Sequence, residues 1–425
     1  MVTVKPLTAL VVALGAALVM TGCGLFGGGG KPAAHPAAAG SAARARLPPR
    51  LLGASVSRAY QFLDQMMDRH GAGPTPRFVQ SYIGGLAGAP GLDSSIYDDA
   101  VLIDAYLAEG TPGGLARAKV IGTAFLDAQA ANPLRNGSLF DAYLPVPLGG
   151  PGHVQATDQA SHTGSMAWAG LALTELFAAT GMHSYLDGAV AIGDRVQADA
   201  WDNRGAGGYT GGSSASGAKI EWKSTEHNID LYAFFRLLAR ETANPVWTTR
   251  AAWARAFIVR MWDGRQGRFY VGTATDGTTL NNSVPTEDVN SWSYLALRDP
   301  AYAGSVGWDV RHLSVTVGGF SGVSICPGDR TGVWFEGTAH LAEALALGGE
   351  DAQASAYLSD IGYAQAHGPN ADGRGIMAAS RNRLGDCMRG YVDASLHTGT
   401  TAWFILAAKR IDPLSAAPVS AQRGG

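Results

Sequence analysis

The sequence predicts an all-α fold in which six helical hairpins form an inner ring and an outer ring of helices. Six helices that are apolar on nearly every side recur along the chain at intervals of roughly 50–70 residues, and helices of this kind are packed on all sides. Between them lie helices with a single apolar stripe, which is typical of helices that face water on one side. This alternation closes naturally into two concentric rings.

The helices follow one another in a regular order. The inner helices are predicted to begin near Ser95, His162, Thr225, Glu287, Trp334 and His397. The outer helices are predicted over residues 56–70, 114–131, 184–201, 246–262 and 351–365, with a short outer member around residues 299–304. Connections from inner to outer helices are short, whereas the return connections are long and rich in glycine.

Two of the long loops contain related segments, WDNRGAGGYTGG from Trp201 and WDGRQGRFYVGT from Trp262. Both have the order Trp-Asp, glycine, aromatic residue, glycine, which indicates true repetition and short β-hairpins. All long loops therefore lie on the face where the inner helices begin. Binding and catalytic groups concentrate in loops that a rigid scaffold holds.

The ends of the chain have a different composition. Residues 1–22 are predicted to be a signal peptide, because the apolar run over residues 7–20 is too short to span a bilayer. Thr21-Gly22-Cys23 resembles a bacterial lipobox, which predicts a lipidated Cys23, an exported protein and attachment to the cell envelope. Residues 23–50 are predicted to be a flexible linker, 51–413 one barrel domain and 414–425 a disordered tail.

The composition excludes several classes of function. The net charge is −3 without a basic stripe, which argues against nucleic acid as a partner. The ten histidines have no zinc-ligand spacing, and no Walker loop, dinucleotide fingerprint or Gly-x-Ser-x-Gly elbow occurs. We therefore expect no cofactor, no metal and no nucleic-acid partner. We also expect a monomeric protein.

The repeat pattern resembles the (α/α)6 toroid of inverting glycosidases and related sugar enzymes, and the resemblance covers residues 51–413. Resembling glycosidases carry paired carboxylates at the first inner helix, where Tyr97-Asp98-Asp99 stands here, and a Trp-Phe-Glu-Gly stretch at a late hairpin, where residues 334–337 stand. The resemblance implies an enzyme with a carbohydrate substrate. Because the same fold also hosts epimerases, lyases and terpene cyclases, it leaves the reaction open.

Three carboxyl groups at the starts of inner helices are candidates for catalysis: Asp99, Glu226 and Glu336. The aromatic neighbours of Glu336 predict a raised pKa, which suits a general acid. Asp98 and Asp99 point about 100° apart on a helix, so one can cap it while the other faces a cavity. For each candidate the alternative is a structural capping role, and which carboxyl group is the acid stays open.

The candidates for sugar binding are polar and aromatic residues near the same helix starts, since aromatic rings stack on sugars while polar groups bond their hydroxyls. They are Tyr97, Asp98, Trp168, Trp222, His227, Asn228, Asp230, Glu287, Trp292 and Trp334.

Two further features are less specific. His162 and His397 both open a His-Thr-Gly sequence, which indicates a capping role before a role in sugar binding. Cys326 and Cys387 precede consecutive inner helices by similar distances, which favours a disulfide in an exported protein. Two buried free thiols are the alternative.

These observations favour a glycoside hydrolase that inverts the anomeric centre of an extracellular or periplasmic glycan. Inversion needs an acid and a base with carboxyl groups roughly 6.5–9.5 Å apart, a gap that opposite walls of a barrel can supply. A lyase or sugar epimerase is the second hypothesis, with Tyr97, His227, His340 and Arg389 as available groups. A glycan-binding envelope lipoprotein without catalytic activity is the third.

Overall fold

The structure is a computed structural model that describes residues 49–422, except residues 85–91, 134–135, 282, 284 and 388–389. The predicted signal peptide, Cys23 and most of the predicted linker lie outside the described residues, as does Arg389. Their lipidation and export therefore stay predictions. Among the described residues, no helix is long and apolar enough to cross a membrane.

The described helices alternate between two sets, as the sequence predicts. The inner set is α2 (Ile96–Glu109), α4 (Thr163–Thr180), α6 (Thr225–Thr242), α8 (Glu287–Leu297), α10 (Phe335–Leu347) and α12 (Thr398–Lys409). The outer set is α1 (Pro49–Asp68), α3 (Pro112–Ala131), α5 (His183–Ala200), α7 (Pro245–Arg260), α9 (Ala303–Leu313) and α11 (Asp351–His367). The 3₁₀ turns are Pro151–His153 and Pro300–Tyr302.

Contacts between helices close the inner set into a ring. Each inner helix packs against the next one along the chain, and α12 packs against α2. The outer helices pack against the inner ones, α1 against α12 and α3 against α2, with the remaining pairs following in order. Nearly every residue of the inner helices is buried, for example Leu102, Leu171 and Phe234. The predicted (α/α)6 toroid is therefore confirmed.

The fifth outer helix differs from its prediction. The sequence indicates a short outer member around residues 299–304, whereas those residues form a 3₁₀ turn and the start of α9, which continues to Leu313. The buried residues of α9, among them Val306, Trp308 and Leu313, all lie beyond the predicted range.

Short antiparallel strands hold the long loops together at the amino ends of the inner helices. They pair as Tyr82–Ile83 with Leu396–His397, Lys223–Ser224 with Gly272–Thr273, Trp262–Asp263 with Arg268–Phe269, Ser314–Val317 with Phe320–Val323, and Leu384–Gly385 with Tyr391–Val392. Two groups have three strands: Ser94–Ser95, Ala142–Tyr143 and Ala156–Asp158, and Ser161–His162, Gly212–Ser213 and Lys219–Ile220. The strands that directly precede α2, α4, α6 and α12 all pair with another long loop, which fixes these helix starts.

Cys326 and Cys387 form a disulfide, with Cα atoms 6.3 Å apart. It links the loops that precede α10 and α12 on the same face. The predicted pairing is therefore present in the structure.

The prediction of a disordered tail is wrong for residues 414–422. Leu414 and Val419 are fully buried, and Val419–Gln422 forms a short helix, α13, that packs against α2 and α4. The Val419 amide donates a hydrogen bond of 2.8 Å to the buried carboxyl group of Glu175. The segment is ordered because its apolar residues cover the ends of the inner helices opposite the long loops.

Candidate active site

The amino ends of the inner helices surround one cavity at the centre of the ring. Its lining residues come from five of the six inner helices or the residues directly before them: Ser95, Tyr97, Gly164, Ser165, Trp168, Glu226, His227, Asp230, Asp288, Trp292, Trp334, Glu336 and His340. Glu226 and Glu336 lie on the same cavity, as predicted. Their catalytic roles stay predictions.

Helix periodicity explains which residues reach the cavity. The second residues of the six inner helices are Tyr97, Gly164, Glu226, Asp288, Glu336 and Gly399. One turn later, on the same face of each helix, stand Val101, Trp168, Asp230, Trp292, His340 and Trp403. All of the first set except Gly399 line the cavity, as do Trp168, Asp230, Trp292 and His340 of the second set.

Glu336 is held by hydrogen bonds to both carboxylate oxygens. The Tyr97 hydroxyl donates to Oε1 at 2.6 Å, and the Thr400 hydroxyl donates to Oε2 at 3.1 Å. Tyr97 is positioned in turn by the indole N–H of Trp403, which donates to its hydroxyl at 2.7 Å. The carboxylate is therefore fixed in one orientation at the cavity wall.

His397 lies between two carboxylates. Its Nδ1 is 3.3 Å from Glu336 Oε2, and its Nε2 is 3.0 Å from Asp98 Oδ1. The ring stacks on Tyr82, with centroids 4.0 Å apart. His397 stands at the N-cap of α12, as predicted, with Nδ1 3.2 Å from the Thr400 amide. Because a carboxylate faces each nitrogen, we assign a proton to both, and Nδ1 then donates to the Thr400 hydroxyl at 2.8 Å.

This arrangement keeps Glu336 ionised. Burial raises its pKa, but the hydrogen bond and charge of His397, followed by His340 and Tyr97, lower it to about 2. Burial likewise lowers the pKa of His397, but Asp98 and then Glu336 raise it to about 10. The expectation that aromatic neighbours raise the pKa of Glu336 is wrong, because a buried cation outweighs them. We call Tyr97, Asp98, Glu336 and His397 the Glu336 wall.

The facing carboxyl groups have the opposite environment. The pKa of Glu226 is raised well above its ordinary value by burial, and then by the charges of Asp288, Asp230 and Glu336. Burial and Asp288 raise the pKa of Asp230, and burial also raises the pKa of Asp288. We call Glu226, Asp230 and Asp288 the Glu226 wall. The carboxyl groups of the Glu226 wall therefore retain their protons to higher pH than Glu336 does.

Several buried polar atoms around the cavity have no hydrogen-bond partner in the described part of the chain. They are Nε1 of Trp168 and Trp292, Nε2 of His340 and both carboxyl oxygens of Asp230. The Trp168 indole does lower the pKa of Asp230 somewhat, although no hydrogen bond of normal length joins them. Buried polar groups are almost always paired, so a cluster of unpaired ones indicates a polar ligand or water. Donors and acceptors alternating with aromatic rings suit a molecule that is rich in hydroxyl groups.

The repeated His-Thr-Gly sequences have a packing reason. A Cβ atom at Gly399 would lie 2.3 Å from Asp98 Oδ1, and one at Gly164 would lie 2.6 Å from His227 Cδ2 and 3.0 Å from Asp230 Oδ2. Only glycine at these second helix positions lets the neighbouring side chains approach. His162 binds the carboxylate of Asp141 rather than the cavity.

Five of the predicted site residues do not line the cavity. Asp99 is fully buried and accepts hydrogen bonds from the Val79 amide at 3.0 Å and the Ser94 hydroxyl at 2.6 Å. These bonds hold a loop to α2, so the prediction of a catalytic Asp99 is wrong. Asp98 points towards His397 instead of a ligand. The structural capping alternative accounts better for Asp99.

Asn228 and Glu287 also lie behind the residues that line the cavity. The Asn228 amide bonds the backbone of Tyr209 and Ser224. Glu287 is fully buried, and its Oε2 is 3.2 Å from Nδ1 of His340. Both were predicted to bind sugar, and both instead fix the elements that carry the cavity wall.

Trp222 was also predicted to contact sugar, and this placement is wrong. Its ring packs against His227, with centroids 5.5 Å apart, and it is not among the residues that line the cavity. It supports the wall from behind. The Trp222 position follows a hairpin turn, so helix periodicity could not place it.

The other predicted binding residues lie on the cavity wall: Tyr97, Trp168, His227, Asp230, Trp292 and Trp334. Their contact with a ligand stays a prediction. The candidates for hydrolysis and sugar binding did not include Ser165, Asp288 or His340, which also line the cavity. His340 was named only for the alternative lyase or epimerase reaction. Aligning the six helix starts by their second residue, and then reading one turn onward, would have found Asp288 and His340.

Within the described ranges, no group of three or more His, Cys, Asp or Glu residues is arranged to hold a metal ion.

Solved structures with the same fold include several sugar enzymes. This chain is similar to a D-mannose isomerase with a TM-score of 0.62 and 14% identity, over 84% of this chain and 96% of the other. It is similar to the cellobiose 2-epimerase of Bacillus thermoamylovorans with a TM-score of 0.62 and 11% identity, over 84% of this chain and 98% of the other. It is also similar to a family 76 glycoside hydrolase of a bovine Bacteroides thetaiotaomicron strain, with a TM-score of 0.57 and 12% identity, over 84% of this chain and 78% of the other. Comparisons with protein-family models and with curated sequences find no match.

Proposed function

We propose that this protein is a glycoside hydrolase that inverts the anomeric centre, with Glu226 as general acid and Glu336 as general base. The observation that carries the proposal is the opposite protonation of two glutamates at equivalent positions of one cavity. Glu226 retains its proton because burial and neighbouring carboxyl groups raise its pKa, whereas His397 keeps Glu336 ionised. A pair of carboxyl groups with separated pKa values is what acid and base catalysis requires.

The chemistry follows from these two states. Glu226 donates its proton to the glycosidic oxygen while the bond from that oxygen to the anomeric carbon breaks. A water molecule attacks the same carbon from the opposite face, and Glu336 accepts the proton that this water releases. Helix α8 stands between α6 and α10 in the ring, so the two glutamates come from helices that are not adjacent. Inversion by this pair requires their carboxyl groups to lie roughly 6.5–9.5 Å apart.

The aromatic side chains and unpaired polar atoms support a sugar as the ligand. Trp168, Trp292 and Trp334 line the cavity, and flat apolar rings of this kind can stack on the C–H face of a pyranose. The unpaired indole N–H groups of Trp168 and Trp292 can donate to its hydroxyls. Leaving such groups unpaired costs about 1–3 kcal/mol each, which a hydroxyl-rich ligand would recover.

The test is a screen of β-glucans, mannans and bacterial exopolysaccharides for new reducing ends, followed by NMR of the first anomer released. We expect the inverted anomer, and we expect Glu226→Gln and Glu336→Gln each to reduce cleavage at least about 100-fold. Glu343→Gln is the matched control, since Glu343 is buried on the same helix as Glu336 but does not line the cavity. Full activity in both test variants, or a retained anomer, contradicts the proposed mechanism.

Isomerisation or epimerisation of a free sugar is the second candidate. It is favoured by His340, whose ring lines the cavity with an unpaired Nε2 and stays neutral because burial lowers its pKa to about 3. A neutral imidazole can accept a proton next to a carbonyl group. Incubation of mannose and of cellobiose in D₂O would distinguish the two reactions. Deuterium incorporation into the sugar without new reducing ends would replace hydrolysis by this reaction.

A further inference from the structure

The Glu226 wall brings three carboxyl groups together without a positive partner. Asp230 is fully buried, lines the cavity and has neither oxygen in a hydrogen bond of normal length. Asp288, on the adjacent inner helix, is partly exposed to the same space, and its charge raises the pKa of both Glu226 and Asp230. The three groups therefore repel one another whenever more than one is ionised.

No lysine or arginine side chain of the described residues lines this cavity. The two histidines on its wall, His227 and His340, are neutral because burial lowers the pKa of each to about 3. The positive ring of His397 is held between Asp98 and Glu336. The cation that would complement Asp230 and Asp288 is thus missing from the described protein.

A ligand can supply that charge. Burial and repulsion between carboxylates raise the pKa of Asp230 and Asp288. A cation with hydrogen-bond donors placed beside them favours their ionised forms and pairs with them. Neutral sugar hydroxyls lack this charge, and an acidic sugar would add to the repulsion. The positively charged group that sugars commonly carry is the ammonium group of a hexosamine.

We propose that the cavity binds a hexosamine with a free amino group, and that Asp230 and Asp288 hold its ammonium group. The inference rests on the proposed function in so far as it takes the cavity to be a sugar site. The two unpaired oxygens of Asp230 accept two of the ammonium N–H groups, and Asp288 accepts the third. Burial, the largest cause of the raised pKa of Glu226, is unchanged in this complex, whereas the ammonium group offsets the charges of Asp288 and Asp230.

This assignment predicts the order of preference among sugars. N-acetylation removes the charge and adds bulk, so N-acetylhexosamines should bind less tightly than hexosamines. A 2-hydroxyl sugar lacks the charge and should also bind less tightly. Uronic acids should not bind, because no cation on the wall can neutralise them.

The experiment is calorimetric titration of the purified full chain with methyl glycosides of glucosamine, galactosamine and mannosamine, in both anomeric forms. Each is compared with its N-acetylated form and with its 2-hydroxyl parent in neutral buffer. We expect at least one amino sugar to bind roughly tenfold or more tightly than both of its counterparts. Asp230→Asn and Asp288→Asn should each remove most of this preference, while Glu343→Gln should keep it.

Three results overturn the inference: no binding by any amino sugar, equal binding by an amino sugar and its neutral parent, or a preference that survives in both variants. Melting curves identify a variant that has failed to fold. The amino-sugar preference is then measured in the other variant alone. Binding is independent of cleavage, so the two proposals fail separately. Glycan cleavage without an amino-sugar preference contradicts only this inference, whereas a preference without cleavage contradicts only the proposed hydrolysis.

Discussion

The Glu336 wall and the Glu226 wall are built from the same helix positions but have opposite electrostatic properties. Glu336 and Glu226 are both the second residue of an inner helix, and both are surrounded by low-dielectric protein. On the Glu336 wall, a histidine contributed by α12 approaches within 3.3 Å. On the Glu226 wall, the neighbours are Asp230 and Asp288. The comparison shows that neighbouring side chains raise the pKa of one glutamate and lower that of the other.

Removal of either glutamate should give the largest effects and should separate their roles. Glu336→Gln removes the base, so we expect cleavage to fall about 10²–10⁴-fold for every leaving group. Added azide, which attacks without losing a proton, should restore the turnover of activated substrates. Glu226→Gln removes the acid, so we expect a similar loss on natural glycans and little loss on dinitrophenyl glycosides. Initial rates with both substrate types are the measurement, and the reverse pattern would exchange the two roles.

The sequence predicted the ring well because its evidence is local. Each inner helix begins within one residue of the predicted position, since apolar runs and capping residues are read directly from the chain. Protonation states could not be read in this way. Trp334 and Phe335 suggested an apolar environment for Glu336, but His397 is 61 residues away in the chain and reaches it only through ring closure.

The same limit explains the wrong prediction for Asp99. Adjacent acids at a helix start indicate that one faces the cavity, and the sequence does not show that the Val79 amide and the Ser94 hydroxyl occupy both oxygens of Asp99. The sequence does not single out Asp288 either, because Pro285-Thr286 before it is typical of an ordinary helix entry. Its equivalence to Glu226 and Glu336 becomes visible only when the repeats are aligned in space.

Replacing His397 should make the Glu336 wall more like the Glu226 wall. In His397→Gln the cation beside Glu336 is lost, so the pKa of Glu336 should rise and the acidic limb of the pH–rate profile should move to higher pH. We expect roughly a tenfold lower rate at neutral pH. A pH profile that keeps its acidic limb would contradict this role. A purely structural role for His397 would lower the rate without moving that limb.

The same substitution has a consequence for stability. The pKa of His397 is raised in the folded protein to about 10, above its ordinary value of 6.5. Its contribution to stability is therefore complete below pH 6.5 and is lost as the pH rises through 10. The difference in unfolding free energy between the native protein and His397→Gln should shrink by up to about 5 kcal/mol over this window. Chemical unfolding at several pH values tests this, and a constant difference would contradict it.

The smallest effect on catalysis is expected at Asp99, which belongs to neither wall. Asp99→Ala leaves the Val79 amide and the Ser94 hydroxyl without their acceptor, so we expect a loss of about 1–3 kcal/mol in the free energy of unfolding. The folded fraction should retain most of its activity and its native pH profile. Urea unfolding together with initial rates provides the check. A loss comparable to that of Glu336→Gln, in protein shown to be folded, would return Asp99 to the catalytic site.

The most direct test of the two walls is a ¹³C NMR titration of protein labelled at the carboxyl carbon of glutamate, with Glu226→Gln and Glu336→Gln used to assign the signals. We expect the Glu336 carboxyl group to titrate near pH 2 and the Glu226 carboxyl group to stay protonated well above its ordinary pKa of 4.5. Two signals that titrate together near the ordinary value, or in the opposite order, would contradict this expectation.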